Sequence, residues 1–390
     1  MQTIVRGTPV GEKNPRDIVV RDGRIAAIRP AGRTRPDVGA NDTVIGPTLF
    51  DTQVNGVDGV TLHTTKLVPE DVRKVTDTLA SFGVSHWMPT MATRSLKQMA
   101  HGCRTIAQAL DDKTVARAVP GIHVEGPYIS PLDGPRGAHP KQHVRPPSLR
   151  EFDQLNKAAD GHIMCVTLAP EVQGAVPFIK ALVRRGVTVA LGHHKGSDDD
   201  VARAVDAGAR LCTHLGNGLA SMIHRHQNPL WPQLGDDRLA AALIADLEHL
   251  PPHALKTFIR AKGPDNVVLA SDCVFLAGMK PGRHQLAGQE VQLLPSGRIC
   301  LVGTDLLAGS SLMLVQGVVN AARVTDLTIE QAFACASTIP AKLFRLRHRF
   351  ALPKKGAKAN FLAFDVVQDR KFNKPKARIR CVYIHGERKV

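Results

Sequence analysis

Gly121-Ile122-His123-Val124-Glu125-Gly126-Pro127 is a short apolar run that ends on a carboxylate and then turns sharply at Gly-Pro. A strand of a β/α barrel presents a side chain at its C-terminal end in this way. Three later segments repeat the device: Val187-Thr188-Val189-Ala190-Leu191-Gly192-His193, Leu211-Cys212-Thr213-His214 and Val267-Val268-Leu269-Ala270-Ser271-Asp272. Helical segments alternate with such runs, among them Glu70 to Phe82, Ser95 to Leu110, Val172 to Arg185, Asp198 to Ala207 and Pro252 to Ala261. This alternation predicts a parallel sheet. Polar residues recurring at several strand ends predict a closed (β/α)8 TIM-like barrel rather than an open sheet, because barrel enzymes build their sites there.

The two chain ends have a different character. Asp17 to Ile28 is two apolar runs around Asp22-Gly23, a strong hairpin signal. Ala359 to Asp365 and Arg378 to Ile384 are also strand-like, with a turn at His385-Gly386. The expected architecture is therefore α/β, with a small β-sandwich domain built from both ends (residues 1–46 and 350–390) and the barrel over residues 47–349. The loop from Ser130 to Pro147, rich in Pro, Gly and His, is expected to serve as a lid or substrate loop.

Composition narrows the class. The chain has 390 residues, of which 43% are hydrophobic, enough for a substantial core. No apolar run approaches the roughly 18 residues needed to span a bilayer. The N-terminal residues lack the apolar core of a secretory signal. Seven scattered cysteines without a Cys-x-x-Cys pair read as reduced thiols in a cytoplasmic protein. The net charge is +16, spread along the chain with a mild excess near the C-terminus (Lys354, Lys355, Lys358, Arg370, Lys371, Lys374, Lys376, Arg378, Arg380). Two Trp and two Tyr offer little for base stacking, so the charge is read as a solvated surface and neither a nucleic acid nor a membrane is expected as partner.

Glu125 offers a hard oxygen ligand, and His193 and His214 offer imidazoles. Zinc and other divalent first-row metals accept this mixture, and a catalytic site keeps open positions. His194 competes with His193, which is preferred because it stands directly on the strand end. Asp272, at another strand tip, is placed to act as general base and then as general acid.

In this order, several motifs resemble those of the N-acetylglucosamine-6-phosphate deacetylases of the amidohydrolase superfamily. They are Gly46-Pro-Thr-Leu-Phe-Asp51-Thr-Gln53-Val-Asn55-Gly56, His123-Val-Glu125-Gly-Pro127, Leu191-Gly-His193, Thr213-His214-Leu-Gly-Asn217, Ile244-Ala-Asp246-Leu-Glu-His249, Ser271-Asp272 and Leu307-Ala-Gly-Ser-Ser311. The match covers nearly the whole chain and is specific only in combination. It implies hydrolysis of the acetamide of an N-acetyl amino sugar, N-acetylglucosamine 6-phosphate first, to the free amine and acetate. It implies one divalent metal on Glu125, His193 and His214, zinc first with iron, cobalt or manganese as alternatives, and Asp272 as acid/base. Gln53-Val54-Asn55 replaces the His-x-His of most amidohydrolases, and the mononuclear members place those two residues along the metal pocket. By the same resemblance His139, Asn217, the Gly218 backbone, Arg225 and His249 contact the sugar or its phosphate, and the chain forms a homodimer with the basic His224-Arg225-His226 loop near the neighbouring subunit.

The departures sit around the sugar. Leu247-Glu248-His249 replaces a Gly-Ile/Leu-His pattern, Ser271-Asp272-Cys273 replaces Thr-Asp-Ala, and Gly216-Asn217-Gly218-Leu219 replaces an aromatic followed by Asn-Ala-Met. Glu248 is expected to repel a phosphate if it points inward. Cys273 is expected to be a buried structural thiol. Two other readings are weighed beside the first: an amidohydrolase for another N-acyl or cyclic amide substrate, and a catalytically weak sugar- or nucleic-acid-binding protein.

Overall fold

The computed structural model describes residues 2–286, 289–347, 350–369 and 374–390. Arg370 and Lys371 of the C-terminal basic group, and Arg349 at the expected domain boundary, lie outside the described residues.

Eight strands form the central sheet: Leu49–Val54, Val84–Ala92, Ile122–Glu125, Ile163–Leu168, Thr188–Leu191, Leu211–Cys212, Ala240–Ile244 and Val267–Ala270. They are hydrogen-bonded in chain order, and every neighbouring pair is parallel. A parallel bridge from Val54 to Cys273 brings the first and eighth strands together and closes the barrel. This is the predicted (β/α)8 architecture. The strands read as continuous apolar runs because both faces are covered: helices pack outside, while Phe50, Met88, Cys165, Ala190, Leu211 and Val268 fill the interior, sealed by Phe344 and Phe350.

The helices form where the sequence carries both a stop-start signal and one apolar face. Pro69–Ser81 opens on Pro with Glu70 and Asp71 in its first turn, and buries Val72, Val75, Thr76, Leu79 and Ala80. That spacing is one face of a 3.6-residue helix, and the acidic first turn suits its dipole. Asp198–Asp206 starts at Ser197, whose hydroxyl accepts from the Asp200 N–H while the Asp200 carboxylate accepts from the Ser197 N–H, a reciprocal cap worth about 1 kcal/mol.

Seven strands from both chain ends make the second unit, in the order Glu387–Arg388, Lys374–Ile384, Phe361–Asp369, Val38–Gly46, Gln2–Pro9, Arg16–Arg21, Arg24–Pro30. The sheet folds over itself into a sandwich around Val5, Ile18, Ile25, Ile45, Phe361 and Tyr383. The Asp22-Gly23 turn has positive φ at both residues, as a type I′ hairpin requires. It meets the His385-Gly386 turn so closely that a Cβ on Gly23 would stand 2.6 Å from the Gly386 carbonyl oxygen. Only glycine permits that approach.

A three-stranded antiparallel sheet, Gly282–Leu286, Gln289–Leu293 and Ile299–Leu301, follows the eighth barrel strand and was not anticipated. Its sequence is too polar to show clear alternation, and it buries only a small cluster of Val291, Leu293 and Ile299 against Val274, Leu276 and Ala308. The Ser130 to Pro147 loop lies over the barrel mouth, tied down by Ser130 N–H to the His193 carbonyl (3.0 Å) and Arg145 N–H to the Pro127 carbonyl (3.1 Å). Among the described residues no helix is long and apolar enough to cross a membrane.

Candidate metal centre

The site grows out of a buried polar layer inside the barrel. Alternation along the third strand puts His123 and Glu125 on the same side. His123 Nε2 lies 2.7 Å from Thr167 Oγ1, which is 2.6 Å from Thr213 Oγ1, so the third, fourth and sixth strands are stitched together just below the site.

Above this layer three buried side chains converge. Glu125 Oε1 lies 3.1 Å from His193 Nε2 and 3.0 Å from His214 Nε2, and the two imidazole nitrogens are 3.0 Å apart. His193 Nδ1 is 3.0 Å from the Pro135 carbonyl, which can only accept. The proton of a neutral ring is therefore on Nδ1, and Nε2 turns a lone pair toward the carboxylate and the second imidazole. Such acceptors crowd together favourably when a cation sits among them. Two imidazole nitrogens and one carboxylate oxygen are also the donor set of mononuclear catalytic sites. These three residues form the one group among those described whose ligand atoms can hold a metal ion. Burial by itself would raise the Glu125 pKa, but the His193 and His214 rings beside it pull it well below its ordinary value.

His194, the competitor, turns the other way: its Nδ1 accepts from the Gly196 N–H at 3.1 Å. His139 Nε2 is 3.2 Å from His193 Nε2 and its Nδ1 is 2.7 Å from Thr93 Oγ1. Burial, with His193 beside it, holds the His139 pKa well below the usual value, so the ring is neutral. Two glycines make room for the His193 ring: a Cβ on Gly218 (φ +64°) would stand 2.9 Å from Nδ1, and one on Gly137 (φ +57°) 3.3 Å from Cε1.

Asp272 stands across the centre, its Oδ1 accepting from Asn55 Nδ2 at 2.7 Å. Burial, and after it the Glu125 charge, raise its pKa to about 8 against the opposing effects of His214 and Asn55. A cation between the two carboxylates would cancel the Glu125 contribution. His193, His214 and Asp272 all have positive φ (54°, 30° and 49°), a strained backbone that costs on the order of 1–3 kcal/mol per residue.

These residues line a cavity of about 590 Å3 that also takes in Asn55, His139, Asn217, Gly218 and His249. His249 Nδ1 bonds to Asp246 Oδ2 at 2.7 Å, and Asp246 Oδ1 accepts the N–H groups of Glu248 and His249, so the histidine is held by its own turn. Three of the singled-out residues stand outside this cavity. Gln53 is buried beside the first strand end but is not among the cavity-lining residues, and its Nε2 has no partner among the described residues. Arg225 is on an exposed loop outside the cavity of its own chain, its carbonyl accepting from Trp231 Nε1 at 2.8 Å. Glu248 is turned to Lys374 (3.2 Å) and Arg298 (3.7 Å), so its charge is compensated rather than aimed at a ligand. Cys273 is fully buried, which pushes its thiol pKa up and leaves it inert. The sequence reading passed over His63 and Arg94, which also line the cavity. Arg94 follows the end of the second barrel strand, so the strand-end rule that selected Glu125 and Asp272 could have found it.

The model of the amidohydrolase family matches residues 44–389. The chain is 32% identical over 362 residues to an N-acetylgalactosamine-6-phosphate deacetylase of Escherichia coli O157:H7, covering 92% of this chain and 93% of that one. It is 32% identical over 402 residues to the human N-acetylglucosamine-6-phosphate deacetylase, covering 98% and 93%. Among solved structures, N-acetyl-D-glucosamine-6-phosphate deacetylase from Mycobacterium smegmatis superposes with a TM-score of 0.84 at 25% identity, over the full length of both chains. The chain belongs to the amidohydrolase family and, within it, to the N-acetylglucosamine-6-phosphate deacetylases.

Proposed function

We propose that this amidohydrolase removes the acetyl group of an N-acetyl amino sugar 6-phosphate, N-acetylglucosamine 6-phosphate first, giving the amino sugar phosphate and acetate. The observation that carries this reading is the convergence of Glu125, His193 and His214 with Asp272 facing them inside one cavity. Glu125, His193 and His214 hold a single divalent ion, zinc first. When bound, the ion supplies Lewis acidity toward the acetamide carbonyl and makes a water acidic enough to lose its proton near neutral pH.

The chain's own residues do the rest. Asp272, oriented by Asn55, accepts the proton of the attacking water as its oxygen bonds to the carbonyl carbon. The same carboxyl then delivers that proton to the sugar nitrogen as the C–N bond breaks, so the amine leaves neutral with acetic acid, whose remaining proton passes to the amine or to solvent to give acetate. His139 is neutral and donates to, or accepts from, the acetamide side. Asn217, the Gly218 backbone and His249 orient the sugar ring. Gln53 supports the first strand end. Arg225 meets the phosphate in a homodimer whose exposed loop enters the neighbouring copy's cavity. The seven free cysteines suit a reducing cytoplasm.

A second substrate is favoured by the galactosamine specificity of the Escherichia coli relative. The two sugars differ only at C4. The test is acetate release by metal-loaded protein from N-acetylglucosamine 6-phosphate, N-acetylgalactosamine 6-phosphate and N-acetylglucosamine. Turnover of a phosphorylated sugar supports the reading, and the preferred epimer names the substrate. Release from none of them removes the amino sugar assignment.

A further inference from the structure

One side chain in the cavity has no part in the chemistry above. Arg94 lines the cavity and is the only arginine or lysine among its lining residues. Its guanidinium makes one hydrogen bond, from Nη1 to the Thr93 carbonyl at 2.6 Å. Among the described residues no carboxylate lies within ion-pair distance of it. Its neighbours differ: Arg145 bonds Glu151 at 2.7 Å, and Arg136 pairs with Asp133 and donates to the His139 carbonyl. Burial alone accounts for a lowered Arg94 pKa, the sign of a cation withdrawn from water with no acid to compensate it. A guanidinium remains charged in such a place, and a partly dehydrated one is a strong, planar receptor for an oxyanion.

We infer that Arg94 is a specificity-determining residue that binds an oxyanion carried by the substrate, a phosphate ester or a carboxylate attached to the amino sugar. The inference rests on the cavity being the amino sugar site. Two internal roles do not explain Arg94. Glu125 faces His193 and His214, with which it forms the metal-ligand group. His139 is held neutral first by burial and by His193, with Arg94 contributing less. The exposed loop that carries Arg225 lies outside this chain's cavity, so Arg94 is the permanent cation that an anionic sugar meets within a single subunit.

The test compares wild type, Arg94→Met and Arg94→Lys as full-length, metal-loaded protein. Acetate release is measured on N-acetylglucosamine, its 6-phosphate and its 3-O-carboxymethyl ether. The quantity read is the ratio of kcat/KM for each anionic sugar to that for the neutral one. In Arg94→Met the ratio for one anionic sugar falls about 10- to 100-fold, chiefly through KM, as expected for loss of a charge-assisted contact. The sugar whose ratio falls identifies the anion. Arg94→Lys, which keeps charge but loses the planar fork, recovers part of it, and it also guards against a folding defect in the methionine variant. Ratios unchanged in both variants overturn the assignment.

Calorimetric binding of glucosamine and glucosamine 6-phosphate, and of the carboxymethyl ether, separates this from the function reading. Wild type that binds an anionic sugar more tightly than the neutral one, loses that preference in Arg94→Met, yet releases no acetate, overturns the deacetylase reading and leaves Arg94 in place. Wild type that deacetylates with the same anion preference as Arg94→Met overturns the role of Arg94 and leaves the deacetylase.

Discussion

Asp272→Asn tests the mechanism with the least disturbance to the fold. The asparagine side-chain oxygen can take the place of Oδ1 and accept the same 2.7 Å bond from Asn55 Nδ2. Glu125, His193 and His214 are untouched, so metal content measured by elemental analysis stays at the wild-type ratio. What is lost is the proton acceptor. General acid–base catalysis contributes roughly 10²–10⁴-fold, so kcat falls by about that factor, or about 3–5 kcal/mol of barrier at 1.36 kcal/mol per tenfold. A second readout comes from metal-free protein. Burial, with the Glu125 charge, raises the Asp272 pKa from 3.8 to about 8. Below 3.8 the group is protonated in both folded and unfolded chains and costs nothing. As pH rises from there to about 8 the unfolded chain ionises while the folded one resists, so stability is lost over that window. The asparagine variant cannot ionise. Its melting temperature without metal therefore gains on wild type between pH 4 and 8, and the gap shrinks when metal is restored. A kcat within tenfold of wild type, with metal retained, would remove Asp272 from the proton transfer. A melting difference independent of pH would remove the raised pKa.

Five further substitutions probe the assignments around it. His193→Ala or His214→Ala strips the metal, whereas His194→Ala, whose ring bonds locally to Gly196, leaves metal content intact; depletion in His194→Ala alone would reverse the choice of ligand. Glu248→Gln changes stability by less than about 1 kcal/mol, because its partners Lys374 and Arg298 are partly exposed; it leaves KM for phosphorylated sugar unchanged, and a clear fall in KM would show that Glu248 does repel the phosphate. Arg225→Ala raises KM for phosphorylated sugars far more than for unphosphorylated ones, and only in a dimer; equal effects on both sugars, seen in steady-state kinetics beside a sedimentation measurement, would sink its phosphate role.

The barrel was legible because its signal is physical and local. Apolar runs of strand length, each ending on one polar residue, have few other uses, and Glu125, His193, His214 and Asp272 all stand at such ends. The sandwich was legible from the Asp22-Gly23 turn, which supplies the two positive φ values a tight hairpin needs, together with the strand-like runs at 359–365 and 378–384. What escaped depends on partners far apart in the chain. Glu248 is directed by Lys374 and Arg298, which no local pattern ties to it. Arg94 gives no motif, and its importance lies in what it lacks, a carboxylate partner, which only the folded chain can reveal. The small sheet at 282–301 is written in Gln, Glu and Arg, and its few apolar residues become a core only against Val274 and Ala308.

The structure also shows where stability has been given up. Positive φ falls on His193, His214 and Asp272, and the buried polar atoms without partners among the described residues include His214 Nδ1, Asn217 Nδ2, Gln53 Nε2 and Asp51 Oδ2. All belong to one end of the barrel. Each such atom costs on the order of 1–3 kcal/mol, and such costs persist only where surrounding structure over-determines the conformation. Here that structure is the layer immediately below, where His123, Thr167 and Thr213 bond across three strands, above an interior of Phe50, Met88, Leu211 and Val268. The arrangement separates the two tasks. The lower barrel supplies a rigid frame that needs no ligand, and the strained upper rim carries Glu125, His193 and His214, whose ligand atoms a cation would bring together. Metal binding should therefore stabilise this protein through its rim, with the frame beneath it unchanged.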